Sequence, residues 1–160
     1  MSAEENKAKF QVLFNEMFNN GNYAAADEAF MPSLVMHSAV QAQPIRGIEE
    51  FKGYPEMFRI GFPDIHINID DLVFQDDLGI ARWSWTGTHL GPFQGIPPTG
   101  RRVTGRGIEL YHWVGNKIDE IWVEVDVVSV LQQLGIFPPG GIPRPVLWVI
   151  GQVQRLRPAS

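Results

Sequence analysis

The sequence predicts an α+β fold, a curved antiparallel sheet covered by N-terminal helices. Three observations predict it. The first sixty residues carry apolar side chains at helical spacing. Residues 65–125 carry runs of period two, rich in β-branched and aromatic residues. The two kinds of pattern are segregated along the chain instead of alternating, which favours helices packed on an antiparallel sheet over a parallel βαβ arrangement.

Residues 4–19 read as the first helix, because Phe10, Leu13, Phe14, Met17 and Phe18 form one apolar face. Asn19-Asn20-Gly21-Asn22 stops it. Tyr23 to Phe30 reads as a second, short helix with Asn22 as its N-cap. Pro32 ends helical possibilities, and Leu34 to Ala39 reads as a short strand carrying His37. Ile48 to Ile60 is a third helical segment, in which Pro55 predicts a kink or two pieces. Ile65 to Phe74 alternates apolar and polar residues as a half-buried strand, with His66 on its solvent side. Ile80 to Leu90 is the next strand.

Gly91 to Gly100 holds six Gly or Pro residues and reads as a structured loop. Val103–Trp113 and Ile118–Val125 form a hairpin turned at Val114-Gly115-Asn116-Lys117. The second arm ends at Asp126, and a helix from Val127 to Leu134 follows. Residues 1–137 are expected to form one domain. Residues 138–160 are a C-terminal extension whose Val146 to Ile150 stretch is too apolar for water, and they are expected to pack on the domain or on a partner subunit.

Composition narrows the function classes. The chain of 160 residues is 44% hydrophobic, with 13 basic and 18 acidic residues and a formal charge of −5. That balance, without a basic run, argues against nucleic acid or an anionic membrane as partner. There is no cysteine, so there is neither a disulfide framework nor a thiolate metal site. The acidic, polar first residues do not read as a signal peptide, and no apolar run reaches membrane-spanning length. A soluble, cytoplasmic protein is expected. His37, His66, His89 and His112 show no metal-ligand spacing, and the loop prolines stand where phosphate-cradling amides would be needed. Neither a metal nor another cofactor is expected.

The site candidates follow from where polar residues interrupt apolar strands. Asp126 follows Val123 and Val125 and precedes Val127 and Val128, a desolvating setting that favours the proton-bound form of a carboxyl. It is also placed to cap the helix beginning at Val127. His112 can assist a proton transfer or lie on the solvent face. Hairpin register decides between these readings. A two-residue loop pairs His112 with Asp119 and puts His112 and Asp126 on opposite faces. A three-residue loop pairs His112 with Ile118 and puts His112, Trp122, Glu124 and Asp126 together. Trp83, Trp85 and His89 share one parity and suit either the wall of a ligand cavity or a core or subunit interface. His37 lines the cavity or serves a structural role.

Several strings carry a resemblance to a known family. They are Phe62-Pro63-Asp64, Gly87-Thr88-His89-Leu90-Gly91, Pro97-Pro98-Thr99-Gly100, Ile118-Asp119-Glu120-Ile121-Trp122 leading to Asp126, and Leu131-Gln132-Gln133-Leu134-Gly135. In this order, over roughly residues 8–137, the chain resembles the SnoaL-like polyketide cyclases of the nuclear transport factor 2-like (NTF2-like) fold group. It departs from the family pattern at Asp77-Leu78-Gly79-Ile80 and in the extension beyond Pro138. The resemblance implies a cone-shaped fold and a cofactor-independent intramolecular aldol closure of an apolar, carbonyl-bearing ligand. It further implies Asp126 as acid/base catalyst and His112 as a pocket histidine.

Under that reading His37, Trp83, Trp85, His89 and Trp122 would bind a small apolar or aromatic substrate. Relatives of the same fold include dehydratases, isomerases, hydrolases and plain binding modules, and fold alone does not choose among them. The outer sheet face carries alternating apolar residues that three helices cannot cover. A homo-oligomer, dimer or tetramer, is therefore expected.

Overall fold

A computed structural model describes residues 3–38, 40–138 and 140. The element order is α1 (Ala3–Phe14), a π-helical turn (Asn15–Asn19), a 3₁₀ turn (Tyr23–Ala25), α2 (Ala26–Ala29), β1 (Phe30–Ser38), β2 (Ile45–Arg46), α3 (Ile48–Gly61), β3 (His66–Gln75), β4 (Leu78–Thr88), β5 (Arg102–Val114), β6 (Lys117–Val125) and α4 (Val127–Gln133). Among the described residues the strands form one six-stranded sheet in the order β2-β1-β6-β5-β4-β3. The pairing is antiparallel except between β1 and β6, which run parallel. The fold is α+β, as the segregation of patterns predicts.

The helices cover one face of the sheet. Phe10, Leu13 and Phe14 of α1 and Met17 of the π-helical turn are buried, while Val12 on the other side is exposed, as a single apolar stripe requires. The π-helical turn after α1 is tied to β3 through Asn19, whose side chain accepts from the Ile67 amide (2.8 Å) and donates to the Ile67 carbonyl (2.9 Å). Pro55 does not divide the third helix: α3 runs unbroken from Ile48 to Gly61 with Pro55 buried inside it. Phe51, Tyr54 and Phe58 face the sheet from α3. The first strand is longer than the pattern of 34–39 suggests and begins at Phe30, so that Pro32 lies within it. Asn22 makes no side-chain cap; its amide donates instead to Glu16 (3.1 Å).

The inner sheet face is built from one parity of each long strand. On β5 it presents Val103, Gly105, Gly107, Glu109, Tyr111 and Trp113, all buried. On β4 it presents Ala81, Trp83 and Trp85. Gly105 pairs with Trp85 and Gly107 with Trp83. A Cβ at Gly105 would lie 2.1 Å from the Trp85 indole nitrogen, and one at Gly107 2.4 Å from the Trp83 ring. The two glycines thus make the space in which two indoles lie flat across β5.

The outer face carries the other parity. Val73 pairs with Ile80, Ile80 with Leu110, Leu110 with Trp122 and Trp122 with His37. These residues form one row across five strands. The apolar stretch 146–150 lies outside the described residues.

Candidate functional site

A concavity lined mainly by apolar side chains opens at the end of the cone where β6 passes into α4. Its volume is about 270 Å³. Tyr54, Met57 and Phe58 of α3 form one wall, and Val125, Val127, Val130 and Leu131 form the opposite one. Trp85 lies at the back, and Phe93, Gln94 and Ile96 close it from the loop between β4 and β5. That loop is anchored. The Leu90 and Gly91 amides both donate to the Gly61 carbonyl (3.0 and 3.1 Å). A Cβ at Gly91 would strike the Ile60 carbonyl oxygen at 2.0 Å, so only glycine permits this approach. A tight turn at Gln94 and Gly95, both at positive φ, brings Phe93 and Ile96 together.

Behind this cavity lie two smaller voids of about 10 Å³ each, both lined by Glu109 and Tyr54. Glu109 is 5% exposed. Burial among apolar side chains pushes its carboxyl up to about 8 from an ordinary 4.5, and the nearby Trp83 indole opposes that rise. The Trp83 N–H nonetheless meets no acceptor within hydrogen-bond geometry, nor do the buried indole N–H groups of Trp85 and Trp113. Burial also raises the Tyr54 hydroxyl above its ordinary value.

The sequence candidates fall on two sides of the sheet. Trp85 lines the 270 Å³ cavity, and Trp83 lies deeper, beside Glu109. His89 is fully buried; its Nδ1 lies 3.1 Å from the Thr99 hydroxyl while Nε2 has no partner. Its ring packs on Phe62, behind the cavity wall, and burial lowers its affinity for a proton.

His37, His112, Trp122 and Asp126 lie on the other face. The hairpin register explains this placement. The turn has two residues, Gly115 and Asn116, with Val114 opposite Lys117 and Trp113 opposite Ile118. A bulge at Asp119 then sets His112 opposite Glu120 and Leu110 opposite Trp122. The bulge restores the shared face of His112, Trp122 and Glu124 that a three-residue loop would have given, but that face is the outer one.

There His112 is held by Asp119 (2.7 Å) and Asp77 (3.2 Å). The hydrogen bond that its ring N–H donates to Asp119 raises its affinity for a proton, Asp77 contributing less. His37 is stacked on Trp122 (5.1 Å between ring centroids, 13° between planes) and bonded to Glu120 at 2.8 Å.

Asp126 takes the capping role. Its carboxylate accepts from the Ser129 amide (3.2 Å) and pairs with Arg106 at 3.1 Å. Its neighbours Val125 and Val127 line the cavity, while the carboxylate itself lies in a shallow outer depression with Arg82, Arg106, Ile108 and Glu124. The expected apolar surroundings of the carboxylate are therefore on the opposite side of the backbone.

Glu109, Tyr54 and Gln94 were not among the sequence candidates. For Glu109 a signal existed, since it shares parity with Tyr111 and Trp113 on β5. Tyr54 and Gln94 carried none, because their partners come from distant elements. Among the described residues no group of three or more His, Cys, Asp or Glu is placed to hold a metal ion, and no helix is long and apolar enough to cross a membrane.

Comparison with known proteins places this geometry. The family model for SnoaL-like polyketide cyclase matches residues 8–134. No curated protein matches the sequence. Among solved structures, IdmH of Streptomyces antibioticus, a proposed polyketide cyclase, is 29% identical with a TM-score of 0.69, over 84% of this chain and 99% of that one. TsrD of Streptomyces laurentii is 28% identical with a TM-score of 0.72, over 81% and 97%. AclR of Streptomyces galilaeus, a proposed hydroxylase, is 25% identical with a TM-score of 0.75, over 96% and 94%. With the family match spanning most of its length, the chain belongs to the SnoaL-like polyketide cyclase family.

Proposed function

We propose that the protein is a polyketide cyclase-like enzyme that takes an apolar, carbonyl-bearing small molecule into the 270 Å³ cavity and closes a ring by acid/base catalysis of the intramolecular aldol type, without a cofactor. The observation that carries this reading is the cavity itself, mainly apolar and formed by α3, the loop after β4, the end of β6 and α4. Aldol closure removes a proton from carbon next to a carbonyl and returns one to the new alkoxide.

Asp126 stands in the chain between two lining valines, with its carboxylate in the outer depression beside Arg106. To act on a bound ligand it exchanges its contact with Arg106, whose side chain is 76% exposed and so holds it weakly. In this reading His112 acts only in support, since it faces the outer surface. A second copy of the chain is the partner we assign to the outer row of Val73, Ile80, Leu110 and Trp122, since charges of both signs, Arg82, Asp71 and Glu124, border that row and suit a self-complementary contact.

The test is turnover on a panel of aromatic polyketide esters by wild type and Asp126→Asn, with products resolved by chromatographic retention because ring closure conserves mass. Conversion by wild type alone supports Asp126 as the acid/base. Equal conversion by both assigns the proton transfer elsewhere in the same cavity. Binding without conversion by either leaves a non-catalytic binding module.

A further inference from the structure

A carboxyl group buried without an ion-pair partner destabilises a fold, yet Glu109 sits on the inner face of the central strand β5 in a space that a leucine could fill. Its surroundings are unusual in what they offer a ligand. The Trp85 indole N–H is buried and unpartnered, and that of Trp83 lies beside the Glu109 carboxyl without meeting it in hydrogen-bond geometry; an indole can only donate. The other ionisable groups lining the two inner voids are the hydroxyls of Tyr54 and Tyr111, from α3 and β5; α1, β1, β3, β4 and β6 contribute only apolar or indole side chains there. No cation faces Glu109 from any element that lines these voids.

The inner space and the 270 Å³ cavity are separated by a single side-chain layer, because Tyr54, Phe58 and Trp85 line both. A flat ligand that shifts Phe58 or Tyr54 brings its leading edge to Glu109. The complement of a carboxylic O–H and an indole N–H is an oxygen that only accepts, such as a ketone or quinone carbonyl.

We propose that Glu109, as the neutral acid, is the group that recognises the carbonyl oxygen of the ligand at the floor of the cone. Burial keeps the carboxyl protonated near neutral pH, so it is a donor there and ceases to be one when it ionises. The proposal rests on the reading of the 270 Å³ cavity as the ligand site, and it concerns recognition, independent of which group moves the proton on carbon.

The experiment compares 1-tetralone with tetralin, the same bicyclic skeleton with and without the carbonyl, by ligand-observed NMR titration. The quantity read is the ratio of the two affinities, for wild type, Glu109→Gln and Glu109→Leu, at pH 6.5 and 9.5. The expected result is a ratio about tenfold lower in Glu109→Leu than in wild type at pH 6.5, the worth of one hydrogen bond. The wild-type ratio falls severalfold at pH 9.5, while that of Glu109→Gln, which keeps an N–H donor that does not titrate, is the same at both pH values.

A ratio unchanged in Glu109→Leu, or a wild-type ratio indifferent to pH, overturns the proposal and leaves the cavity reading standing. Absence of binding by both compounds to wild type overturns the cavity reading and the proposal with it. Should Glu109→Leu fail to fold, the wild-type and Glu109→Gln pH comparison decides alone.

Discussion

Replacing Glu109 by glutamine changes how stability varies with pH. In the folded chain the carboxyl titrates at about 8, against 4.5 when free of burial. The folded-state value is the higher one, so folding holds a proton that the unfolded chain has released. The stability associated with this group is therefore complete below about pH 4.5, falls as pH rises, and levels off once the folded group also ionises near 8. Each unit in that window costs about 1.4 kcal/mol.

Between pH 5 and pH 9 the wild type thus loses roughly 4 kcal/mol relative to Glu109→Gln, in which the site cannot titrate. The amide has its own cost of burial, but that cost is independent of pH and cancels in the slope. Urea unfolding of both proteins at pH 5, 7 and 9 measures the difference. A gap between them that stays constant to within about 1 kcal/mol would falsify the placement of Glu109 in a dry interior.

Other predictions concern the same elements. Gly105→Ala drives a methyl into the Trp85 indole, 2.1 Å from its nitrogen, and is expected to cost about 1–3 kcal/mol and to distort the back of the cavity; a melting temperature equal to wild type would contradict the packing described. His112→Asn is expected to destabilise more at pH 5.5 than at pH 9. The hydrogen bond donated to Asp119 raises the histidine above its ordinary 6.5, so its contribution is full below that value and is lost as pH rises through the folded value. Because His112 is about one-third exposed, the extra penalty is at most ~1 kcal/mol, and equal penalties at both pH values would refute the pairing. Asp126→Asn is expected to leave thermal stability within about 1 kcal/mol, since asparagine caps a helix as well as aspartate does; a larger loss would make any drop in turnover a folding effect. Trp122→Glu is expected to give monomers in sedimentation, and an oligomer unaffected by it would place the subunit contact elsewhere.

Much of the fold was legible in periodicity. The stripe from Phe10 to Met17 and the alternation along Leu78–Thr88 and Arg102–Val114 are local patterns, and burial of one face follows from them directly. The reading failed where a local rule met a tertiary constraint. Pro55 suggests a break, yet packing of Phe51, Tyr54 and Phe58 against the sheet keeps α3 whole. Asn22 looks like a cap, yet Glu16 takes its side chain.

The chain alone determined the α+β class, the strand pairs joined by short turns, and membership of a family through strings spaced along residues 8–134, and it left Asp126 between helix cap and catalyst. What tertiary structure decided is which face of the sheet is inside. One extra residue, the bulge at Asp119, inverts the parity of everything after it on β6, and the helices cover only one face. His112, Trp122 and Asp126 thereby lie outside, and Glu109 lies within. Parity along a strand says which residues travel together; only packing of a second layer says which set leaves the water, and with it which carboxyl keeps its proton.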